Sequence, residues 1–146
     1  MPRELRDLLL TTVDRNASDL HLTTGLPPVL RIDGDLVALD EAVLSPEDLK
    51  KMIYGALTDS QKVQFEEEKE LDFSLAMAGL DRFRVNVHQQ RGWVEAALRR
   101  IPIVIPTIEE LKLPPAIPLL SRKLNGLVLC TGPTGTGKST TLAAMI

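Results

Sequence analysis

Gly132, Pro133, Thr134, Gly135, Thr136, Gly137, Lys138 and Ser139 follow the spacing G-x-x-x-x-G-K-S. Glycines so spaced let a backbone wrap closely around an anion, and successive amide groups then point inward as a nest for phosphate oxygens. In such a loop Lys138 reaches the β- and γ-phosphates, Ser139 places its hydroxyl on Mg²⁺, and the cradle runs on to Thr140. Turnover asks for more: an acidic residue at another strand end to help hold Mg²⁺, and a group that activates water. Only residues 140–146 follow the motif, and no upstream apolar run ends convincingly in Asp or Glu. The expectation is the binding half of a nucleoside triphosphate site, without hydrolysis by this stretch alone.

A second set of chemically capable residues is basic. Arg82, Arg84 and Arg99 fall on the polar faces of two predicted strands, with Arg91 in the turn between them and Arg100 at the end. Solvated and partly paired with Asp72, Asp81 and Glu95, they are surface charge. A short linker away from a phosphate loop, guanidinium groups are also natural partners for phosphate oxygens. Both readings stand at this level. His21 and His88 are single histidines on polar strand faces, and Glu66, Glu67 and Glu68 read as a solvated helix face, because adjacent helical residues do not converge on one point.

The elements that must position these residues are legible in the apolar periodicity. Leu5, Leu8, Leu9, Thr12 and Val13 predict an amphipathic helix over 3–15. Alternation over 18–23, then 29–32 and 36–39 around the hairpin signal Asp33-Gly34, predicts three strands. Ser45-Pro46-Glu47-Asp48 is a helix start, with Leu49, Met52, Ile53, Ala56 and Leu57 as the buried stripe, and a further helix runs from 59 to about 69. Strands over 71–77, 82–88 and 94–99 form an antiparallel meander with one apolar and one polar face. Five prolines between 101 and 118 mark a linker holding at most one short helix near 107–112. Residues 126–130 read as a strand feeding the phosphate loop, and 139–146 can open a helix whose positive end faces the phosphates.

The expected organisation is an α+β domain over 1–101, a proline-rich linker over 102–118, and over 119–146 the start of a second domain of α/β type. The net charge of −3 and five aromatics, Tyr54, Phe65, Phe73, Phe83 and Trp93, most assigned to buried faces, argue against nucleic-acid binding. The one cysteine, Cys130, is expected to be a small buried apolar residue in a reducing compartment. No signal segment and no transmembrane stretch is evident, so the chain reads as cytoplasmic.

Several stretches taken together resemble the secretion-ATPase superfamily, and specifically the PilT/PilU twitching-motility proteins. They are Ala17-Ser18-Asp19-Leu20-His21-Leu22, Gly25-Leu26-Pro27-Pro28, Arg31-Ile32-Asp33-Gly34, Arg82-Phe83-Arg84-Val85-Asn86, Leu98-Arg99-Arg100-Ile101-Pro102, Glu109-Glu110-Leu111-Lys112-Leu113-Pro114, and the phosphate loop with Thr140-Thr141-Leu142. The resemblance implies a PAS-like N-terminal domain joined to a RecA-like P-loop ATPase domain that binds ATP and Mg²⁺. It also implies a homohexamer, cytoplasmic but peripheral at the inner membrane, working on the inner-membrane platform protein of a type IV pilus. In that family arginines of the N-terminal domain reach the nucleotide; the matching positions are Arg84 and Arg99, with Arg82 after them. By the same resemblance the chain looks like an N-terminal fragment ending just after the Walker A motif, without the acidic and histidine boxes used for hydrolysis. A retraction motor is the first reading. The alternative is a ring-assembly or regulatory module of a pilus extension or type II secretion ATPase.

Overall fold

The computed structural model describes residues 4–133 and 136–146, and the chain divides into two compact units, Met1–Pro102 and Ile103–Ile146. The first unit is a six-stranded, wholly antiparallel sheet with helices, an α+β architecture. In chain order it runs α1 (Leu5–Asp14), β1 (Asp19–Leu22), β2 (Val29–Ile32), β3 (Asp35–Ala38), α2 (Pro46–Tyr54), α3 (Asp59–Glu68), β4 (Glu70–Ala76), β5 (Arg82–Gln90) and β6 (Trp93–Ile101). The sheet order is β3-β2-β1-β6-β5-β4, so the pairing of β1 with β6 welds the early hairpin to the late meander.

Local chemistry accounts for most boundaries. Ser45 caps α2 by accepting from the Asp48 amide at 3.1 Å, with Pro46 at the first helical position. Thr58 and Gln61 close a reciprocal capping box at the start of α3. Both two-residue hairpins place a non-glycine and then a glycine at positive φ: Asp33 at 50° and Gly34 at 95°, Arg91 at 51° and Gly92 at 87°. Such turns match the strand twist. The alternating residues Phe83, Val85 and Val87 on β5 and Val94, Ala96 and Leu98 on β6 are buried with Leu8 and Leu9 of α1 and Leu49 and Ile53 of α2 in one core. The opposite, polar face of the sheet carries Arg31, Arg82, Arg84 and Arg99.

The second unit departs from the sequence reading in three places. Residues 107–112 form hydrogen-bonded turns rather than a helix. Thr107 and Glu110 make a helix-start exchange of bonds, with Glu110 N to Thr107 Oγ1 at 3.1 Å and Thr107 N to Glu110 Oε2 at 2.8 Å. Lys112 then turns to φ 50°, and Pro114 and Pro115 follow. The helix lies instead at α4 (Ala116–Ser121), reaching into the segment expected to be linker; Pro118 fits there because its missing amide is one of the first-turn donors that has no intrahelical partner. The expected strand over 126–130 is not formed among the described residues. Leu127 and Leu129 are 82% and 74% exposed, and an extended run without a neighbouring strand has no ladder to join. Cys130, accordingly, is only half-buried. The unit ends with α5 (Lys138–Met145).

Candidate functional site

In the second unit the phosphate-loop residues lead into α5. Gly132 and Gly137 take φ values of 148° and 84°, a region that L side chains rarely occupy. A Cβ on Gly132 would stand 3.0 Å from Thr136 Oγ1, so that glycine also answers a close approach. Thr136 Oγ1 donates to the Pro133 carbonyl at 2.8 Å, and the Lys138 ammonium donates to the same carbonyl. Gly137 caps α5, with Thr141 N bonded to its carbonyl at 2.8 Å; Lys138, Ser139 and Thr140 occupy the first turn. Thr134 and Gly135, both in the predicted cradle, lie outside the described residues.

Two glycines at positive φ, a lysine turned onto its own loop and a hydroxyl in the first helical turn suit a phosphate chain. Ser139, the hydroxyl that the motif is expected to offer to Mg²⁺, stands in that first helical turn. The only acidic residues of this unit, Glu109 and Glu110, precede the loop, and Glu110 is engaged by Thr107. Among the described residues no three His, Cys, Asp or Glu side chains gather as a metal cluster.

In the first unit, cross-strand register draws the basic residues into one row. Arg31 of β2 faces Asp19 of β1, Asp19 faces Arg99 of β6, and Arg99 faces Arg84 of β5. The row ends at Ser74 of β4. Arg82 lies one step along, opposite Ile101, with Nη2 at 3.4 Å from Ser74 Oγ. Arg84 and Arg99 are thus directly opposed like charges, an arrangement that opposes sheet pairing unless counter-charge intervenes. Asp72 supplies it for Arg84 through contacts at 3.4 and 3.3 Å. Asp19 supplies it for Arg99 through Nε at 2.9 Å, and the Arg99 side chain remains 73% exposed. Arg100 was expected at the end of this polar row. It faces Phe83 and is tied to Asp81 and to Asn16 Oδ1, and strand alternation turns it to the opposite side.

Asp19 is the residue the sequence reading missed as part of the site. It is buried, accepts a 2.7 Å bond from Ser18 Oγ, and sits 3.6 Å from Arg31 Nε, whose own guanidinium is fixed by Nη1 to the Gly34 carbonyl at 3.0 Å. Burial pushes the Asp19 pKa up; the bonds from Ser18 and Arg99 and the charges of Arg99 and His21 outweigh it, and the net shift is downward. His21, one step along β1, is shifted down, chiefly by burial and further by Arg31 and Arg99, against the pull of Asp19. Its Nε2 is buried with no hydrogen-bond partner among the described residues. Asp19 and Arg31 are brought opposite each other by sheet register across a six-residue connection over 23–28, a pairing that no spacing within β1 or β2 announces.

A groove of about 200 Å³ lies elsewhere, between α2, α3 and the β5–β6 hairpin, lined by Lys50, Tyr54, Phe65, Glu66 and Trp93 among others. Trp93 is 49% exposed there. The Tyr54 phenol donates to Glu66; burial, that bond and the carboxylate charge push the Tyr54 pKa up to about 12. The groove shares no residue with the arginine row or the phosphate loop.

Comparison with known proteins fits this geometry into a class. No family model matches the chain. It is homologous over nearly all its length to ATPases of the type IV pilus. Among the matches are PilU and PilT: 42% identity over 143 residues with the type IV pilus ATPase PilU of Pseudomonas aeruginosa, covering 98% of this chain and 37% of that protein, and 43% over 143 residues with its retraction ATPase PilT, covering 98% and 42%. A crystal structure of the pilus retraction motor PilT with bound ADP superposes with a TM-score of 0.82 at 43% identity, over 99% of this chain and 42% of that one. The chain spans about two fifths of the length of these relatives. Among the described residues no helix is long and apolar enough to cross a membrane.

Proposed function

We propose that this sequence is the PAS-like N-terminal domain and the opening P-loop segment of a RecA-like, ATP-binding motor of the type IV pilus, of the retraction type. The observation that carries the reading is a 43% identical match to PilT across the arginine strands and the G-x-x-x-x-G-K-S loop together. In this reading Gly132 to Thr140 cradle the phosphates of ATP, Lys138 neutralises the β- and γ-phosphates, and the Ser139 hydroxyl takes a Mg²⁺ position. Bound Mg²⁺ supplies charge neutralisation on the phosphate oxygens. Arg84 and Arg99, with Arg82 behind them, present guanidinium groups to phosphate oxygens of a nucleotide held by this subunit or a neighbour.

The working protein is a cytoplasmic homohexamer, peripheral at the inner membrane, acting on the pilus platform protein. Its Mg²⁺-binding acid and its water-activating group belong to the part of the relatives' length that these 146 residues do not span. The test is phosphate release. A protein of the relatives' full length carrying this sequence should hydrolyse MgATP and lose turnover with Lys138→Ala, while the 146-residue chain does not turn over. Arg84→Ala or Arg99→Ala should lower turnover with little change in melting temperature. Lys138-dependent phosphate release by the 146-residue chain, or wild-type turnover in both arginine variants, overturns the corresponding part.

A further inference from the structure

We propose that Asp19 is the positioning residue of the arginine row: a buried carboxylate that grips Arg99 by its Nε edge and leaves both terminal nitrogens directed outward for a phosphate chain. The proposal rests on the reading of Arg99 as a phosphate contact. Asp19 is only 7% exposed, whereas the Arg99 side chain is 73% exposed. The carboxylate is itself held from its other oxygen, by Ser18 Oγ at 2.7 Å and Arg31 Nε at 3.6 Å. Arg31 cannot swing away freely, since its Nη1 is bonded to Gly34 O in the β2–β3 turn. Oδ1 therefore remains aimed at Arg99 Nε, 2.9 Å away. Among the described residues neither terminal nitrogen of Arg99 has a hydrogen-bond partner, and two coplanar donors are what a phosphate group accepts.

A free arginine side chain loses rotamer entropy when a ligand fixes it, so prior fixing at Nε lowers the cost of binding. The same carboxylate keeps the opposed Arg84 and Arg99 from repelling each other out of the row, and Arg84 has Asp72 for its own support.

Positioning and plain electrostatics predict opposite signs. A negative charge beside arginines weakens anion binding if it does nothing else, so deleting it would strengthen binding. A positioning carboxylate, when deleted, weakens it. Inorganic tripolyphosphate titrated by calorimetry at low ionic strength into the 146-residue chain carrying Lys138→Ala, which removes the phosphate loop as a competing site, reads the difference. Asp19→Ala and the near-isosteric Asp19→Asn should each weaken binding about three- to tenfold, and Asp19→Asn with Arg99→Ala should be no weaker than Arg99→Ala alone. Asp19→Asn carries the test should Asp19→Ala fail to fold, as judged by its melting transition. Unchanged or tighter binding in Asp19→Asn, or a loss that adds to that of Arg99→Ala, overturns the positioning role. If Arg99→Ala leaves tripolyphosphate binding unchanged, the phosphate reading of Arg99 falls, and the proposal with it.

Discussion

The two units bear chemically capable residues in opposite ways. In Met1–Pro102 the arginines stand on a sheet whose other face is sealed by a continuous core, from Leu8 and Leu9 to Leu98. In Ile103–Ile146 no described residue is buried, and neither α4 nor α5 buries a side chain. Arg99 is held by a carboxylate that is itself held, whereas Lys138 is held by one carbonyl of its own loop. Side-chain placement on a packed scaffold is set by the whole core; placement in a loop is set by a few local bonds and glycine dihedrals.

Hydrogen exchange should show the contrast most strongly. Amides of β5 and β6 should exchange at least a thousandfold more slowly than those of residues 126–142, because opening the sheet requires disrupting the core. Equal protection in a monomer would break the comparison. Limited proteolysis should agree, cutting first after residue 101 and leaving the first unit resistant.

Core deletions sharpen it next. Leu98→Ala, at a site 1% exposed, should cost about 3 kcal/mol of stability in denaturant titration, while Leu127→Ala, at 82% exposed, should cost less than about 0.5 kcal/mol. A smaller effect follows from the caps: Ser45→Ala should cost about 1 kcal/mol through the lost bond to Asp48 N. The same loss in Ser45→Gly would show that the effect is not the cap.

The smallest expected effect is the pH dependence of Asp19. Its folded pKa lies below the ordinary 3.8, so its ionised form contributes stability that is fully present above 3.8 and is lost as pH falls through the folded pKa. Asp19→Asn should therefore flatten part of the acid limb of the stability curve below 3.8 and leave its slope near neutrality unchanged. An unaltered acid limb would mean that Asp19 is no better stabilised in the fold than in the unfolded chain.

Much of this was legible in the residues themselves. Strand alternation in Phe83, Val85 and Val87, the Asp33-Gly34 and Arg91-Gly92 turns, and the Ser45-Pro46 helix start depend on local sterics and on period-two burial, which a sequence displays. The strand over 126–130 was misread because an apolar run reports a preference to be covered, not the presence of a partner. Cys130 was misplaced for the same reason. The one short helix allowed for in the linker lies at Ala116–Ser121 rather than near 107–112, where Lys112 at positive φ and the prolines after it leave only turns, and Pro118 proved compatible with a first helical turn.

By itself the sequence determined the phosphate-loop residues, the two faces of the meander, and the placement of Arg84 and Arg99 on the polar one, since each follows from spacing along one segment. Tertiary structure alone decided that β1 pairs with β6, which brings Asp19, eighty positions away, against Arg99. The physical reason is that long-range register is chosen by how two apolar faces fit over one core, and no periodicity within β1 or β6 encodes which strand lies beside it.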